Sequence, residues 1–287
     1  MDGAPPSRHG AEDSPLGRTI AAPAHCAPEL LFPVERQLKR AELGLRADAP
    51  LPFCGEDLWN AYELSWLNLR GKPEIALGRL RVPASTPRLI ESKSLKLYLN
   101  SFNQQRFASA DQVATRIAAD LSATAGGEVS VELRPLSLRP QRQFAYPEGV
   151  CVDDLDIDID HFRPRPEFLR TSGEARNELL YSHLLKSNCL VTGQPDWGML
   201  GVRYSGAAID REGLLRYIVS FRMHDEFHEQ CVERIFCDIM ARCRPRSLLV
   251  WARYTRRGGL DINPCRASDA TQLEVHADLI EAFEVRQ

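Results

Sequence analysis

Gly193, Pro195 and Gly198 follow one another closely between two apolar, β-prone runs, and few folds can pass straight through such a segment. Leu179, Leu180, Tyr181, Leu184 and Leu185 enter it, and Met199 to Tyr204 leave it. Glycine tolerates the backbone angles of a turn, and proline fixes φ while donating no hydrogen bond, so the stretch reads as strand–turn–strand. Cys189 and Asp196 then lie on opposite limbs of a hairpin and can meet across it. A nucleophile beside a proton carrier is what covalent addition to an electrophilic carbon requires. The same pair also fits a packed thiol beside a turn carboxylate, because a free Cys behaves as a small hydrophobe.

The rest of the chain repeats one order of elements. Residues 58–69 and 74–82 form a hairpin around Gly71-Lys72-Pro73, and a helix opens at Glu91-Ser92-Lys93-Ser94. A second helix starts at 109–111, with Val113, Ile117, Ala118 and Leu121 at spacings of three and four, and Gly126-Gly127 stops it. Alternating runs over 128–133 and 150–159 complete the first half as ββααββ, with 135–147 as a long loop. The second half follows with strands over 179–191 and 199–204, helices over 210–221 and 225–243, and strands over 247–255 and 260–263 around Gly258-Gly259. The predicted class is α+β, two ββααββ modules of antiparallel sheet with helices on one face. Their spans are 46–160 and 161–287, after a disordered or irregular tail over 1–45 whose first 28 residues are rich in Ala, Pro and Gly. Residues 30–49 receive no element.

Several function classes drop out. No apolar run approaches the roughly 18–20 residues of a membrane span. The first residues lack a basic stretch followed by an apolar one, so no secretory signal is read and a cytoplasmic protein is expected. Net charge is −3 without a basic run, so no nucleic-acid surface is expected. The eight cysteines are scattered with no C-x-x-C pair, which argues for reduced thiols and against a metal site or a disulfide framework. There is no G-x-G-x-x-G, so a Rossmann reading fails.

Three constellations remain. On a helix over 225–243, Val232, Ile235, Phe236, Ile239, Met240 and Cys243 share one face. His228 and Glu229 flank that face, while Glu226, Gln230, Arg234 and Asp238 point away. The His–Glu pair is either aimed at a pocket or is a core-edge histidine beside a favourable first-turn charge. In Glu91-Ser92-Lys93-Ser94-Leu95-Lys96, Ser92 or Ser94 is expected to cap the helix. The lysines there are a solvated face or part of an anion site. Arg253, Arg256 and Arg257 before Gly258-Gly259 suit either an exposed hairpin turn or phosphate binding.

Four stretches together carry a resemblance: residues 187–198, 91–98, Phe227-His228-Glu229-Gln230-Cys231-Val232-Glu233-Arg234, and residues 253–264 from Arg253-Tyr254-Thr255 to Ile262-Asn263-Pro264. In this order they resemble the QueF family of NADPH-dependent nitrile reductases, in its longer two-module form, from about residue 45 onward. One departure is Cys265, where the family often has Trp. The resemblance implies a tandem tunnelling fold, shared with GTP cyclohydrolase-type enzymes. It also implies reduction of the nitrile of 7-cyano-7-deazaguanine to an aminomethyl group, in the queuosine pathway of tRNA modification. By that resemblance Cys189 forms a covalent thioimide and Asp196 protonates nitrogen. Ile90, Glu91, Ser92, His228 and Glu229 bind substrate; Ser92, Lys93, Arg257 and Gly258 bind NADPH. A homodimer is expected, with site pieces from both modules converging within one chain or across a subunit interface. The rival readings are a zinc-dependent purine or pterin hydrolase of the same fold, and a non-catalytic purine- or pterin-binding module. NADPH consumption on adding the nitrile separates them.

Overall fold

Strands β2 (Cys54–Leu67) and β3 (Pro73–Pro83) form the first hairpin around Gly71, which takes a left-handed φ of 85°. They are preceded by β1 (Pro33–Glu35) and helix α1 (Arg36–Glu42). These two elements occupy residues to which the sequence reading assigned none. The described residues of this computed structural model are 25–136 and 147–287. The tail over 1–24 and most of the expected loop over 135–147 lie outside them.

Strand β4 (Arg88–Ile90) pairs with β1 as a small separate ladder and delivers the chain to α2 (Ser92–Asn100). Helix α3 (Ala110–Ala125) is capped by the Ser109 hydroxyl, which accepts from the Gln112 N–H at 3.2 Å, and ends at Gly126 with φ 77°. Val113, Ile117, Leu121 and Ala125 form its buried stripe, at the expected spacing. Then come β5 (Ser130–Pro135), the two-residue β6 (Val150–Cys151), β7 (Thr171–Asn188), β8 (Pro195–Ile209), α4 (Arg211–Ser220), α5 (His228–Cys243), β9 (Ser247–Tyr254) and β10 (Leu260–Ala267). Two short helices, α6 (Ala270–Val275) and α7 (Ala277–Glu281), were not expected.

The two hairpin-and-helix-pair modules share one eight-stranded sheet, in the order β5-β3-β2-β10-β9-β8-β7-β6. The α+β tandem arrangement is the expected class. Its seam is the antiparallel pairing of β10 with β2, in register from Leu260 opposite Ala61 to Ala267 opposite Cys54. One expected strand is absent: the alternation over 150–159 forms a ladder only at Val150 and Cys151, parallel to Leu180 and Tyr181 of β7. Leu155, Ile157 and Ile159 pack instead as irregular chain on the second-module core. That stretch therefore joins the second module by its contacts. No helix of the described residues is long and apolar enough to cross a membrane.

Alternation along the central strands sets the layers. Leu248, Val250, Ala252 and Tyr254 of β9 face the core built with α4 and α5, while Leu249 and Trp251 face the opposite side with Leu279 and Ile280 of α7. The Trp251 ring lies across Gly201, where a Cβ would come within 2.2 Å of it. Each fully buried large aliphatic side chain contributes roughly 1.5–3 kcal/mol. Leu260 and Ile262 belong to the first-module core, while Cys265 and Ala267 of the same strand pack in the cluster around Trp251.

Beneath the seam lies a buried ionic network. Arg36 donates to Asp57 at 2.5 Å, and Arg266 contacts Asp57 at 2.8 Å and Glu233 at 2.9 Å. Arg40 holds both oxygens of Glu233, at 2.8 and 2.7 Å. Burial alone would raise the carboxyl pKa of Asp57, but Arg266 and Arg36 outweigh it and hold the group below its usual value. Arg266 and Arg40 do the same for Glu233. Removing one member of such a network leaves uncompensated charge in low dielectric. Glu233→Ala should cost about 3–5 kcal/mol in urea unfolding. Lys72→Ala, at an exposed pair with Glu74 3.4 Å away, should cost less than about 1 kcal/mol. Equal midpoints for the two variants would remove the network from the account of stability.

Candidate active site

Of the residues expected to make the hairpin turn, Gly193 lies in it, whereas Pro195 opens β8 and Gly198 sits within that strand, paired with Leu185. The Cys189 N–H donates to the Gln194 carbonyl at 2.8 Å, and the Gly193 N–H donates to the Cys189 carbonyl at 2.9 Å, with Gly193 at φ 66°. Ladder pairing brings Asp196 opposite Ser187 and leaves Cys189 one residue beyond β7. The segment before α5 is stitched to this end of β7. The Asn188 N–H donates to the His224 carbonyl at 2.8 Å, and the Glu226 N–H donates to the Asn188 carbonyl at 3.1 Å. The start of α5 is thereby fixed beside the cysteine turn.

A cleft of about 390 Å³ opens there, lined from both modules. Ile90, Glu91 and Ser92 enter it from the β4–α2 junction; Cys189, Asp196, His228, Glu229 and Arg257 enter it from the second module. They meet within one chain. Lys93 and Gly258 do not line this cleft. Lys93 is exposed on the first turn of α2, and Gly258 lines a neighbouring depression with Glu63, Lys96 and Asn100.

Four lining residues escaped the sequence reading: Trp59, Glu226, Phe227 and Ile262. Trp59 and Ile262 are direct partners across the β2–β10 seam, a register that no local pattern reveals. Phe227 was overlooked although it adjoins His228. Glu226 was expected to point away, on the assumption of a helix from residue 225. The helix begins at His228, so Glu226 lies outside its periodicity and is buried. Its carboxylate accepts from His224 Nε2 at 2.9 Å and from Arg234 Nε and Nη2 at 3.0 and 2.8 Å. Burial works against its charge, but these partners prevail and hold its pKa low. Gln230, also expected to face outward, is buried.

The α2 cap differs from expectation too. It is the Glu91 side chain that accepts from the Lys93 and Ser94 N–H groups, at 2.8 and 2.7 Å. The Ser94 hydroxyl instead donates to the Glu91 carbonyl at 2.6 Å and accepts from Phe32. Burial raises the Glu91 pKa against these hydrogen bonds.

Asp196 and Glu229 are charged in opposite senses by their surroundings. Burial would raise Asp196, but His228 and Arg257 outweigh it and hold the carboxyl below its ordinary value. Arg257 donates to Oδ1, while His228 Nε2 stands 3.4 Å from Oδ2, an ion-pair contact without a directed hydrogen bond. Arg257 also donates to Gln194 Oε1 at 2.7 Å, bridging the cysteine turn. Glu229 is fully buried, and no other residue is hydrogen-bonded to its side chain among the described residues. Burial first, and the charge of Asp57 second, push its pKa up to about 7. A carboxylate poised there, unpaired at a cleft wall, is an acceptor awaiting donors.

The thiols separate by position. All eight cysteines are free, and Cys189 is the one that lines the cleft. Burial raises Cys237 to about 12 and Cys243 and Cys265 to about 11.

The neighbouring depression suits an anionic cofactor arm. Gly258 and Gly259 turn with φ 59° and 80°, and a Cβ on Gly258 would meet Lys96 Nζ at 3.1 Å; that ammonium is paired with Glu63 Oε2 3.5 Å away. Arg256 lies over the Tyr62 ring at 4.6 Å, and Lys93 adds a further cation. These donors fit the phosphates of a dinucleotide.

Fold and cleft define a two-module tunnelling-fold protein in which one cysteine and several buried carboxylates line a shared cleft. The chain belongs to the QueF nitrile reductase family. Residues 23–133 match the family model described as nitrile reductase, 7-cyano-7-deazaguanine-reductase N-term, and residues 195–272 match that of QueF-like protein. Similar proteins named NADPH-dependent 7-cyano-7-deazaguanine reductase occur in Azoarcus sp. (strain BH72), 69% identical over 97% of both chains, and in Aromatoleum aromaticum, 64% identical over 91% of this chain and 92% of its own. That of Dechloromonas aromatica is 62% identical over 89% of this chain and 90% of its own.

Two titrations test these electrostatics. Arg257→Ala should raise the pH at which the Asp196 carboxyl carbon titrates by NMR. An unchanged titration would mean that the guanidinium does not set its charge. For Glu229, the folded protein holds the proton more tightly than the unfolded chain, whose pKa is about 4.3. Its stabilising effect is therefore complete below that value and is lost as pH rises through about 7. Glu229→Gln should melt higher than wild type at pH 8 and show a flatter decline between pH 4.5 and 7. A parallel decline in both proteins would sink the assignment.

Proposed function

We propose that this protein reduces the nitrile of 7-cyano-7-deazaguanine to the aminomethyl group with NADPH, through a thioimide on Cys189. The observation that carries the reading is the convergence of Cys189, Asp196, His228, Glu229 and Arg257 with residues 90–92 in one cleft. Family membership and the names of the relatives support the substrate and the cofactor.

Glu229 recognises the base by accepting from its ring N–H and exocyclic amine, two donors that a carboxylate matches well. Trp59, Phe227 and Ile262 supply apolar surface for the ring. Because Asp196 is held ionised in the free site, it acts first as a base. The Cys189 thiol proton passes to Asp196 as sulfur bonds to the nitrile carbon. Asp196 then gives that proton to the nitrile nitrogen, so the thioimide forms without any outside proton. NADPH supplies one hydride to carbon at each of two reductions. After the first, the carbon–sulfur bond breaks, Cys189 leaves as thiolate and an imine remains. Two protons from solvent balance the two hydrides: one restores the thiol and one reaches nitrogen, with His228 and Asp196 carrying them. Ser92, Lys93, Lys96, Arg256 and Arg257 hold the phosphate arm, with Gly258 giving backbone access. A cytoplasmic homodimer is part of the same proposal.

Excess nitrile without NADPH should add one substrate mass to the intact protein, with the adduct mapping to Cys189. Cys189→Ala should bind the nitrile, form no adduct and lose at least about 10³-fold in turnover. An unchanged mass together with an active Cys189→Ala would exclude covalent catalysis.

A further inference from the structure

His228 carries protons in the mechanism above, yet nothing holds its ring in the usual way. A catalytic imidazole is ordinarily oriented by a hydrogen bond at the nitrogen that does not react. Among the described residues the His228 ring makes no directed hydrogen bond at either nitrogen, and Nε2 stands off Asp196 Oδ2 by 3.4 Å. The ring does have one close neighbour along its face. Tyr254 packs against it with ring centroids 3.9 Å apart and planes inclined by 33°.

We infer that Tyr254 is the positioning residue for His228, its ring face serving in place of the missing orienting hydrogen bond. The inference rests on the proton-carrying role of His228 given above. Tyr254 is the last residue of β9 and is almost wholly buried, so its own ring has little freedom. Its cross-strand partner on β8 is Gly198, where a Cβ would lie 3.2 Å from Cδ1 and 3.4 Å from Cε1 of the tyrosine. A side chain there would push the ring off its seat. The absence of a side chain at Gly198 thus makes room for the stack. The Tyr254 carbonyl is held in turn by Gln287 Nε2 at 3.1 Å. The Tyr254 hydroxyl is buried beside Ser187 and Cys231, so the face of the ring is what it offers His228. Two aromatic rings in face contact at this separation pack closely enough for each to restrict the other's rotation.

Three variants separate this from a merely structural tyrosine. Tyr254→Phe keeps the face and should keep kcat within about twofold. Tyr254→Leu keeps apolar bulk but removes the face, and kcat should fall roughly 10–100-fold with KM little changed, since base binding rests on Glu229. Gly198→Ala displaces the ring while leaving Tyr254 in place, and serves if Tyr254→Leu does not fold. Ring signals of 15N-labelled histidine, recorded without ligand, give a readout independent of turnover. Wild type and Tyr254→Phe should show one sharp His228 set. Tyr254→Leu or Gly198→Ala should show broadened signals. Full turnover and sharp signals in Tyr254→Leu and Gly198→Ala would overturn the inference. So would a Tyr254→Phe as impaired as Tyr254→Leu, which would assign the role to the hydroxyl. The reading of the site as a nitrile reductase fails separately, through the absence of a Cys189 adduct in wild type whatever the histidine signals do.

Discussion

Three arginines and two carboxylates buried together under the β2–β10 seam set the terms for the rest of the molecule. Arg36 and Arg40 come from α1, Asp57 from β2, Arg266 from β10 and Glu233 from α5. Each alone would be intolerable in such a place. Together they tie the lead-in helix, the first module and the second module at one point. Arg40 and Arg266 both also lie over the Phe53 ring, at 5.6 Å from its centroid, which roofs the cluster with an apolar face. The network is a device of specificity more than of bulk stability, since apolar side chains of like volume would serve cohesion as well.

The same charges reach the cleft. Glu233 stands one turn along α5 from Glu229, and Asp57 is near enough to raise the Glu229 pKa while Arg36 lowers it. The charge of Glu229 is therefore set from within the seam as well as from the cleft wall. On the opposite wall, Arg257 and His228 hold the Asp196 carboxyl below its ordinary value. The two acids, drawn from β8 and α5, are thus pushed in opposite directions by their surroundings, which is what the proposed division between one acid that binds and one that moves protons requires.

Much of this was legible in the chain itself, where the signals are local. The cysteine turn, the α3 stripe and the Gly258-Gly259 turn depend on residues within a few positions of each other, and they formed as read. What escaped was decided by distant partners. Residues 30–49 received no element because the partner that orders α1 is distant: Arg40 finds Glu233 from 193 positions away. Strand β10 was expected to end at Asn263. It continues to Ala267 because β2 pairs with it and Glu233 and Asp57 neutralise the arginine. The alternation at Val152, Leu155, Ile157 and Ile159 was real but buried its apolar residues without a ladder. Of the cleft, the reactive and charged members stood out by residue type. Trp59 and Ile262 did not, because only the seam register makes them neighbours.

The seam also fixes when the protein can become itself during synthesis. Strand β2 must wait for β10, which lies some two hundred residues further along, before its second edge is covered and the first core receives Leu260 and Ile262. Until then the nascent first module presents an open ladder edge, with buried acids lacking Arg266. Pairings of such sequence separation fold slowly and expose aggregation-prone edges meanwhile. A ribosome that stalls before β10 would release a chain with every residue of the cysteine turn and of α5 in place. It would still lack the strand that joins the two modules and brings Ile262 opposite Trp59.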